Sequence, residues 1–367
     1  MGATLQTIAD ELGVSRSTVS NAYSRPDQLS PQLRTRILET AERLGYPGPH
    51  PTARSLRRGR MDAIGVLFTD RLSMAFSDPY AVAYLRGLAE AAERRDTSLL
   101  LIPLSERNEE ATLGAVRNAA VDGFCVYCVP DGHRALEVIR ARGVPVVTGE
   151  DPGPLGLGAM HVGIDERGAA RSVGEHVARL GHRRVGIVAH WAVDKADTGP
   201  VVDLSPEDLR YYVTRERVRG FYESFAEAGV PWDQVLLINA ADNTRSDGAE
   251  AAGHALDRAD RCTAILATSD VLALGVLDAL AVRGQQPGRD VSVTGFDDVP
   301  EATTARLTTI RQPSVERGRV VGELLLDPPA DPADRHRVLP TSLVVRATTG
   351  PVPIRSGPYP LNPYQPN

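Results

Sequence analysis

The residues of this chain best suited to recognition chemistry stand close to its start. Arg16, Ser17 and Thr18 follow Ser15, and Asn21 comes one helical turn later. With Ser15 as the cap, a helix beginning at Arg16 exposes these three in its first turn and Asn21 in the next. An arginine guanidinium pairs with O6 and N7 of guanine, and an asparagine amide pairs with adenine. Hydroxyls and unpaired N–H groups at a helix start hold phosphates. That chemistry is the reading of double-stranded DNA. No bond-making constellation is legible elsewhere. Cys125 and Cys128 are spaced as a CxxC, but they sit in an apolar strand, where residues three apart point to opposite faces. The glycines between Gly153 and Gly158 lack the spacing and the strand–helix frame of a dinucleotide loop. The eight histidines include no pair at H-x-x-x-H spacing, and no Ser/His/Asp set can be assembled. The expectation is a protein that is not an enzyme and carries neither metal nor cofactor.

A small helical domain must position the DNA-reading side chains. Thr4 is a good N-cap, and Leu5, Ile8, Ala9 and Leu12 follow at helical spacing until Gly13 closes the helix. Ser15 opens a second helix, to about residue 23, with Val19 inward, and Arg25-Pro26-Asp27 breaks it. Ser30 before Pro31 is a cap with proline at the first helical position. Leu33, Ile37, Leu38, Ala41 and Leu44 then line one face up to Gly45. Two short helices across a glycine turn, with a third behind them, make a helix-turn-helix. The charge agrees. Residues 1–60 carry a net +4, whereas the whole chain of 367 residues carries −6, which leaves −10 on the remainder. A basic head on an acidic body points to a polyanion at one end only. Lys195 is the sole lysine among 41 basic residues, in head and body alike, which marks a composition bias rather than a site.

The segments Thr4-Leu5, Ile8-Ala9, Gly13-Val14-Ser15, Thr18-Val19-Ser20-Asn21, Arg25-Pro26 and Leu44-Gly45-Tyr46 together resemble the head of the LacI/GalR transcriptional repressors. Pro49-His50-Pro51-Thr52-Ala53-Arg54-Ser55-Leu56 continues the likeness and resembles that family's hinge helix. The resemblance implies DNA contacts at Thr4, Leu5, Ser15, Arg16, Ser17, Thr18, Ser20, Asn21 and Ser30, and in the hinge at Ala53, Arg54, Leu56 and Arg57. In the family the counterpart of Leu56 wedges into the minor groove at the operator centre, beside that of its dimer mate. The physics is compatible, since a leucine inserted at a base step unstacks it and kinks the duplex.

From Ala63 onward, short apolar strands alternate with amphipathic helices. Strands are predicted at 63–68, 98–103, 123–129, 144–148, 159–163, 184–189, 235–238, 263–268 and 291–295, with helices at 79–95, 166–180, 217–228 and 269–283. This rhythm predicts parallel sheets with helices on both faces, and there are too many strands for one sheet. Ile64-Gly65-Val66, Asp122-Gly123, Val144-Pro145-Val146-Val147, Leu180-Gly181-His182 and Gly295-Phe296-Asp297-Asp298 extend the resemblance to about residues 4–350. It implies an all-α helix-turn-helix head plus an α/β effector core of two doubly wound parallel-sheet subdomains, similar to periplasmic sugar-binding proteins. The expected division is a head at 1–48, a hinge and linker at 49–61, a first subdomain of 62–163 plus 299–326, and a second of 164–298 plus 336–350. Carried over position by position, effector contacts fall on Tyr80, Glu150, Arg217, Ser269 and Asp297, with Ala81 departing from a second aromatic common in the family. His182 is expected to close a helix.

The excursion at 190–216 is longer than the family needs and holds Trp191, Lys195, Asp197, Tyr211 and Tyr212; a ligand-binding loop and a plain surface excursion are equally open there. The proline-rich stretch at 351–367 is expected to be disordered and has no leucine heptads, so a homodimer rather than a coiled-coil tetramer is expected. Residues 1–11 hold no basic and apolar run of an export signal, no stretch is apolar enough for a membrane span, and three cysteines suit a reducing compartment, so the expected location is the cytoplasm. The function expected is a sequence-specific DNA-binding regulator, a repressor, controlled by a sugar-like effector. A nucleoside or nucleobase effector is the alternative. A transporter's solute-binding protein would need an export signal and no basic head, and an α/β enzyme would need a nucleophile or phosphate loop.

One prediction comes from the hinge. Pro49 and Pro51 leave room only for a helix of about 52–57, too short to stand alone, so DNA and a partner helix must order it. Leu56→Ala should lower operator affinity and DNA bending in a gel-shift bending assay while leaving effector affinity unchanged. An unaltered bend and affinity would show that no wedge exists.

Overall fold

The computed structural model describes residues 3–48, 59–69, 72–104, 108–130, 132–150, 156, 158–193, 197–258 and 261–353. They separate into two compact units, 1–63 with 120–122, and the rest of the chain. The predicted hinge contacts Ala53, Arg54, Leu56 and Arg57, and the tail beyond 353, lie outside the described residues.

The head holds α1 (Leu5–Leu12), α2 (Arg16–Ser24) and α3 (Pro31–Arg43). Thr4 and Thr7 cap α1 reciprocally, and Gly13 ends it at φ 66°, a left-handed conformation that costs glycine little. Ile8, Ala9, Val19, Ala22, Ile37 and Ala41 form its buried centre.

The second unit holds two α/β lobes. The strands in chain order are β1 (Ala63–Thr69), β2 (Ser98–Leu104), β3 (Gly123–Tyr127), β4 (Val146–Thr148), β5 (Met160–Ile164), β6 (Val185–His190), β7 (Gly199–Pro200), β8 (Leu236–Ala240), β9 (Ala264–Ala267), β10 (Ser292–Thr294), β11 (Thr309–Arg311), β12 (His336–Leu339) and β13 (Ser342–Val344). The first lobe is a six-stranded sheet in the order β12-β5-β4-β3-β1-β2, and the second a five-stranded sheet in the order β10-β9-β6-β8-β7. The pairs β1–β3, β3–β4, β4–β5, β5–β12, β6–β8, β6–β9 and β9–β10 are all parallel. Their helices are α4 (Met74–Ser77), α5 (Pro79–Glu93), α6 (Glu109–Asn118), α7 (Arg134–Ala141), α8 (Glu166–Arg179), α9 (Tyr212–Glu227), α10 (Arg245–Leu256), α11 (Asp270–Val282), α12 (Pro300–Thr304) and α13 (Ser314–Leu326). Alternation along the strands separates two apolar layers in the second lobe. Ile187 and Leu266 pack with Phe221 and Phe225 on one face, while Val188 and Ile265 pack with Leu272 and Val276 on the other.

The doubly wound core is therefore present, with four departures from the expected layout. Residues 299–312 do not join the first lobe: Val299, Ala302 and Leu307 are buried with Val293 and Leu272, and Ile310 with Phe296. Backbone bonds from Gly295 to Thr308 and from Asp297 to Ile310 hold this stretch in the second lobe, so the chain returns to the first lobe just before α13 and not at 299. In the opposite sense, residues 336–339 belong to the first lobe, because β12 pairs with β5 through His336–His161 and its successors. Helix α9 begins at Tyr212 rather than at 217, since Thr214, Arg217, Val218, Phe221 and Phe225 share one buried face at helical spacing. His182 does not close a helix; its buried ring bonds Thr263 Oγ1 at 2.9 Å and the Gly350 carbonyl at 3.0 Å. Burial obliges both ring nitrogens to find partners.

In the first lobe α5 and α13 cross at glycines. A Cβ on Gly318 would collide with the carbonyl of Tyr84, and one on Gly87 with that of Val315. Gly318→Ala should therefore destabilise the protein by about 1–3 kcal/mol through overpacking. The check is the denaturant midpoint, and an unchanged midpoint would mean that the helices separate freely.

Candidate functional site

The head presents the side chains its caps dictate. Ser15 Oγ accepts from Thr18 N at 3.0 Å and lies 2.7 Å from both Ser17 Oγ and Thr18 Oγ1. Thr4, Ser15, Arg16, Ser17 and Ser30 are exposed, Leu5, Thr18 and Asn21 partly so. Asn21 Nδ2 donates to Gln28 Oε1 at 3.3 Å. Ser20 is the exception. It is only 8% exposed. The sequence pattern missed this because Ser20 follows the inward Val19 on the same side of a very short helix.

In the second unit a cleft lies where the carboxyl ends of its strands meet, the usual place for a ligand in open α/β sheets. Phe68 ends β1, Tyr127 and Cys128 end β3, Gly149 and Glu150 follow β4, His190 and Trp191 end β6, and Ser269 and Asp297 follow β9 and β10. Tyr80, Glu150, Arg217, Ser269 and Asp297, drawn from five separate stretches of sequence, all line it. Ala81 lines it too, beside Tyr84 on α5.

Buried charge forms the floor. Arg217 on α9 donates from Nε to Glu166 Oε2 at 2.8 Å and from Nη1 to the Thr268 carbonyl at 2.5 Å. Its guanidinium lies 3.7 Å from the centre of the Phe296 ring, with Asp297 Oδ1 at 3.8 Å from Nη1. Arg317 on α13 donates to Val162 O at 3.1 Å, to Tyr80 Oη at 2.8 Å and to Gly149 O at 2.9 Å, and its Nη1 stands 3.8 Å from Glu166 Oε1. One carboxylate thus lies between two arginines, one from each lobe. Burial works against the Arg217 charge, but Glu166 and Asp297 outweigh it and the guanidinium ends above its usual range. Burial also raises the Asp297 carboxyl well above a usual carboxylate, with Arg217 opposing. Asp297 accepts from Gln312 Nε2 at 2.6 Å and sits at φ 128°, a conformation L residues rarely adopt. A second link between the lobes runs from Asn243 Nδ2 to Asp78 Oδ2 at 3.3 Å, with Ser269 Oγ fixing the amide through Asn243 Oδ1 at 2.5 Å. Ser269 also caps α11.

Glu166, Arg317, Asp78, Asn243 and His190 escaped the sequence reading. A signal existed for Arg317, which shares a helical face with the buried Val321 and Leu324, where a cation needs a partner. His190 ends an apolar strand, the position at which ligands are met. The cysteines take no part in a paired site. Cys125 is buried against Tyr84 Oη at 3.1 Å, and Cys128 lines the cleft at φ 52°.

Residues 175–349 match the periplasmic binding protein-like domain. Over 358 residues the chain is 41% identical to an HTH-type transcriptional regulator of Mycolicibacterium smegmatis, covering 95% of this chain and 97% of that protein. It is 37% identical, with a TM-score of 0.72, to a LacI-family transcriptional regulator from Corynebacterium glutamicum whose crystal structure it matches over 95% of its own length and 99% of the other's. This chain belongs to the LacI family of transcriptional regulators. A LacI-family regulator joins a DNA-binding helix-turn-helix to an effector core, and both units are present in this one. It also resembles the regulator CelR in its complex with cellobiose, at 27% identity and a TM-score of 0.65, over 94% of this chain and 99% of that one. Among the described residues of this LacI-family regulator no helix is long and apolar enough to cross a membrane, and no cluster of His, Cys, Asp and Glu could hold a metal ion.

Buried groups of the cleft tie stability to pH in opposing directions. Burial, reinforced by the Arg217 charge, lowers the His190 imidazole from 6.5 to about 3. Between those values the unfolded chain binds a proton that the folded chain refuses, so this ring's contribution to stability falls as the pH drops from 6.5 towards 3, whereas the buried carboxyls of Asp78, Asp270 and Asp297, raised by burial, contribute in the opposite sense. His176 and His182, both lowered by burial, act in the same direction as His190. His190→Phe should remove the His190 share of the slope when urea midpoints are followed from neutral to acid pH, and an unchanged slope would contradict the assignment.

Proposed function

We propose that this LacI-family regulator is a homodimeric repressor whose operator affinity is set by a neutral, polyhydroxylated ligand, a sugar or sugar derivative, held in the cleft. The observation that carries this is the charge accounting of the floor. Both buried arginines are already engaged by protein groups, Arg217 by Glu166, and Arg317 by Tyr80 and two carbonyls with Glu166 Oε1 3.8 Å away. Asp78, Glu150, Glu166 and Asp297 face the same space. A phosphate or carboxylate entering there would meet four carboxyl groups and two arginines already engaged within the protein, a costly burial. Hydroxyls, which donate and accept, suit such a surface, and the rings of Tyr80, Tyr127, Trp191 and Tyr211 offer apolar walls to the ring of a sugar. CelR, a more distant relative, was solved with the neutral sugar cellobiose.

The exposed Arg16 and Ser17 and the partly exposed Asn21 read and position an operator, two heads reading a pseudo-palindrome. The lobes, joined across the cleft by Arg317–Glu166 and Asp78–Asn243, transmit ligand binding to the hinge by altering their closure. No catalytic step is assigned to the cleft.

Thermal unfolding of the full chain against neutral mono- and disaccharides, sugar alcohols, sugar phosphates and nucleosides tests this. A neutral sugar or sugar alcohol at 100 times its dissociation constant should stabilise the fold by about 2.7 kcal/mol. Stabilisation by a sugar phosphate or a nucleoside instead would overturn the reading. Asp297→Ala should abolish the shift and leave operator affinity unaltered.

A further inference from the structure

The chain between β6 and α9 is not a loose surface excursion. Asn239 on β8 anchors two points of it, accepting from Val193 N at 3.0 Å and donating to Asp197 O at 3.1 Å. Strand β7 then adds antiparallel to β8, and Trp232 Nε1 bonds the Leu204 carbonyl at 2.9 Å. Ser205 and Asp208 cap a short turn that returns the chain to the cleft. The result of this anchoring is a pair of rings. Tyr211 stacks on Trp191 with centroids 4.9 Å apart and planes at 28°, and both line the cleft. Trp191 is held at φ 55°, a left-handed backbone that a bulky side chain avoids unless its surroundings impose it.

Two polar atoms beside this wall have no hydrogen-bond partner among the described residues although they are sealed from solvent. They are His190 Nδ1 and Glu166 Oε1, and both residues line the cleft. Buried polar atoms are nearly always satisfied, so two orphans in one cavity need an explanation. Glu166 Oε1 can only accept, so what completes it must be a donor. The imidazole nitrogen donates or accepts according to tautomer, and a hydroxyl answers either.

We infer that His190 and the Trp191–Tyr211 pair, with Glu166 beneath, are the specificity-determining residues of the effector site. Resting on the assignment of the cleft to a neutral polyhydroxylated ligand, His190 Nδ1 and Glu166 Oε1 each hydrogen-bond a ligand hydroxyl, while the Trp191–Tyr211 stack covers the apolar face of its ring. A site built to bond a hydroxyl rejects the analogue that lacks it far more strongly than an apolar pocket does. These residues thus select which hydroxyls the regulator answers to.

The test uses the full chain and calorimetry with the panel member that stabilises it most, together with that compound's monodeoxy analogues. His190→Phe keeps a ring of similar size and removes the nitrogen. It should weaken binding of the parent compound at least tenfold. One deoxy analogue, disfavoured by the unsubstituted protein, should bind the variant as well as the parent compound does. Trp191→Ala should weaken parent and analogues alike by a common factor. Wild-type affinity in His190→Phe, or unchanged preference for every hydroxyl, would overturn the inference. Should His190→Phe fail to fold, His190→Gln replaces it, and failure of both would assign the ring to the core and overturn the inference as well. Absence of binding by any neutral compound to the unsubstituted chain would instead bring down the neutral-ligand assignment, and this inference with it.

Discussion

Glu166 between Arg217 and Arg317 is the contact on which the effector core turns. The carboxylate is nearly inaccessible, and the arginines reach it from different lobes. Taking one member away would leave a buried charge unanswered, which in comparable settings costs about 3–5 kcal/mol. Arg317 adds to this by tying together β5 through Val162, the turn after β4 through Gly149, and α5 through Tyr80. A single guanidinium therefore holds three first-lobe elements in register with a second-lobe carboxylate. The position of the cleft walls, and so what the cleft can bind, follows from that arrangement.

Much of the fold was legible because it is written in local pattern. The nine expected strands are all present within a few residues, and so are the caps at Thr4, Ser15 and Ser30, since alternation and capping are properties of neighbours in sequence. What escaped depends on distance along the chain. Strand β12 is short and its first three residues are exposed, and only its pairing with β5 makes it part of the first lobe. Pro300 starts a helix and looks like a boundary, yet α12 stays in the second lobe because the buried Ala302 and Leu307 hold it there. Two-residue β7 has no periodicity to read.

The cleft divides along the same line. Tyr80, Glu150, Arg217, Ser269 and Asp297 stand in motifs and could be carried over from the family, and the fold brings all five to one cavity. Glu166 and Arg317 stand on opposite sides of the crossing that precedes α13, far apart in sequence, and nothing in the sequence around either names the other. His190 and Trp191 lie in the stretch where this chain is longer than its family requires, so no motif pointed to them. In the head, Ser20 belongs to the recognised motif and yet is buried, which shows that a motif conveys a helix and its packing together with its contacts.

A ligand can shift the lobes only by as much as it binds one arrangement better than the other. The central claim is that cleft and operator are coupled through those lobes, and linkage makes the coupling reciprocal. The most direct measurement is calorimetry of the stabilising neutral ligand with the full chain, alone and saturated with operator DNA recovered by selection. The ligand's affinity should change between the two by the same factor, about 5–150, by which the ligand changes operator affinity. An identical ligand affinity with and without DNA would contradict the account.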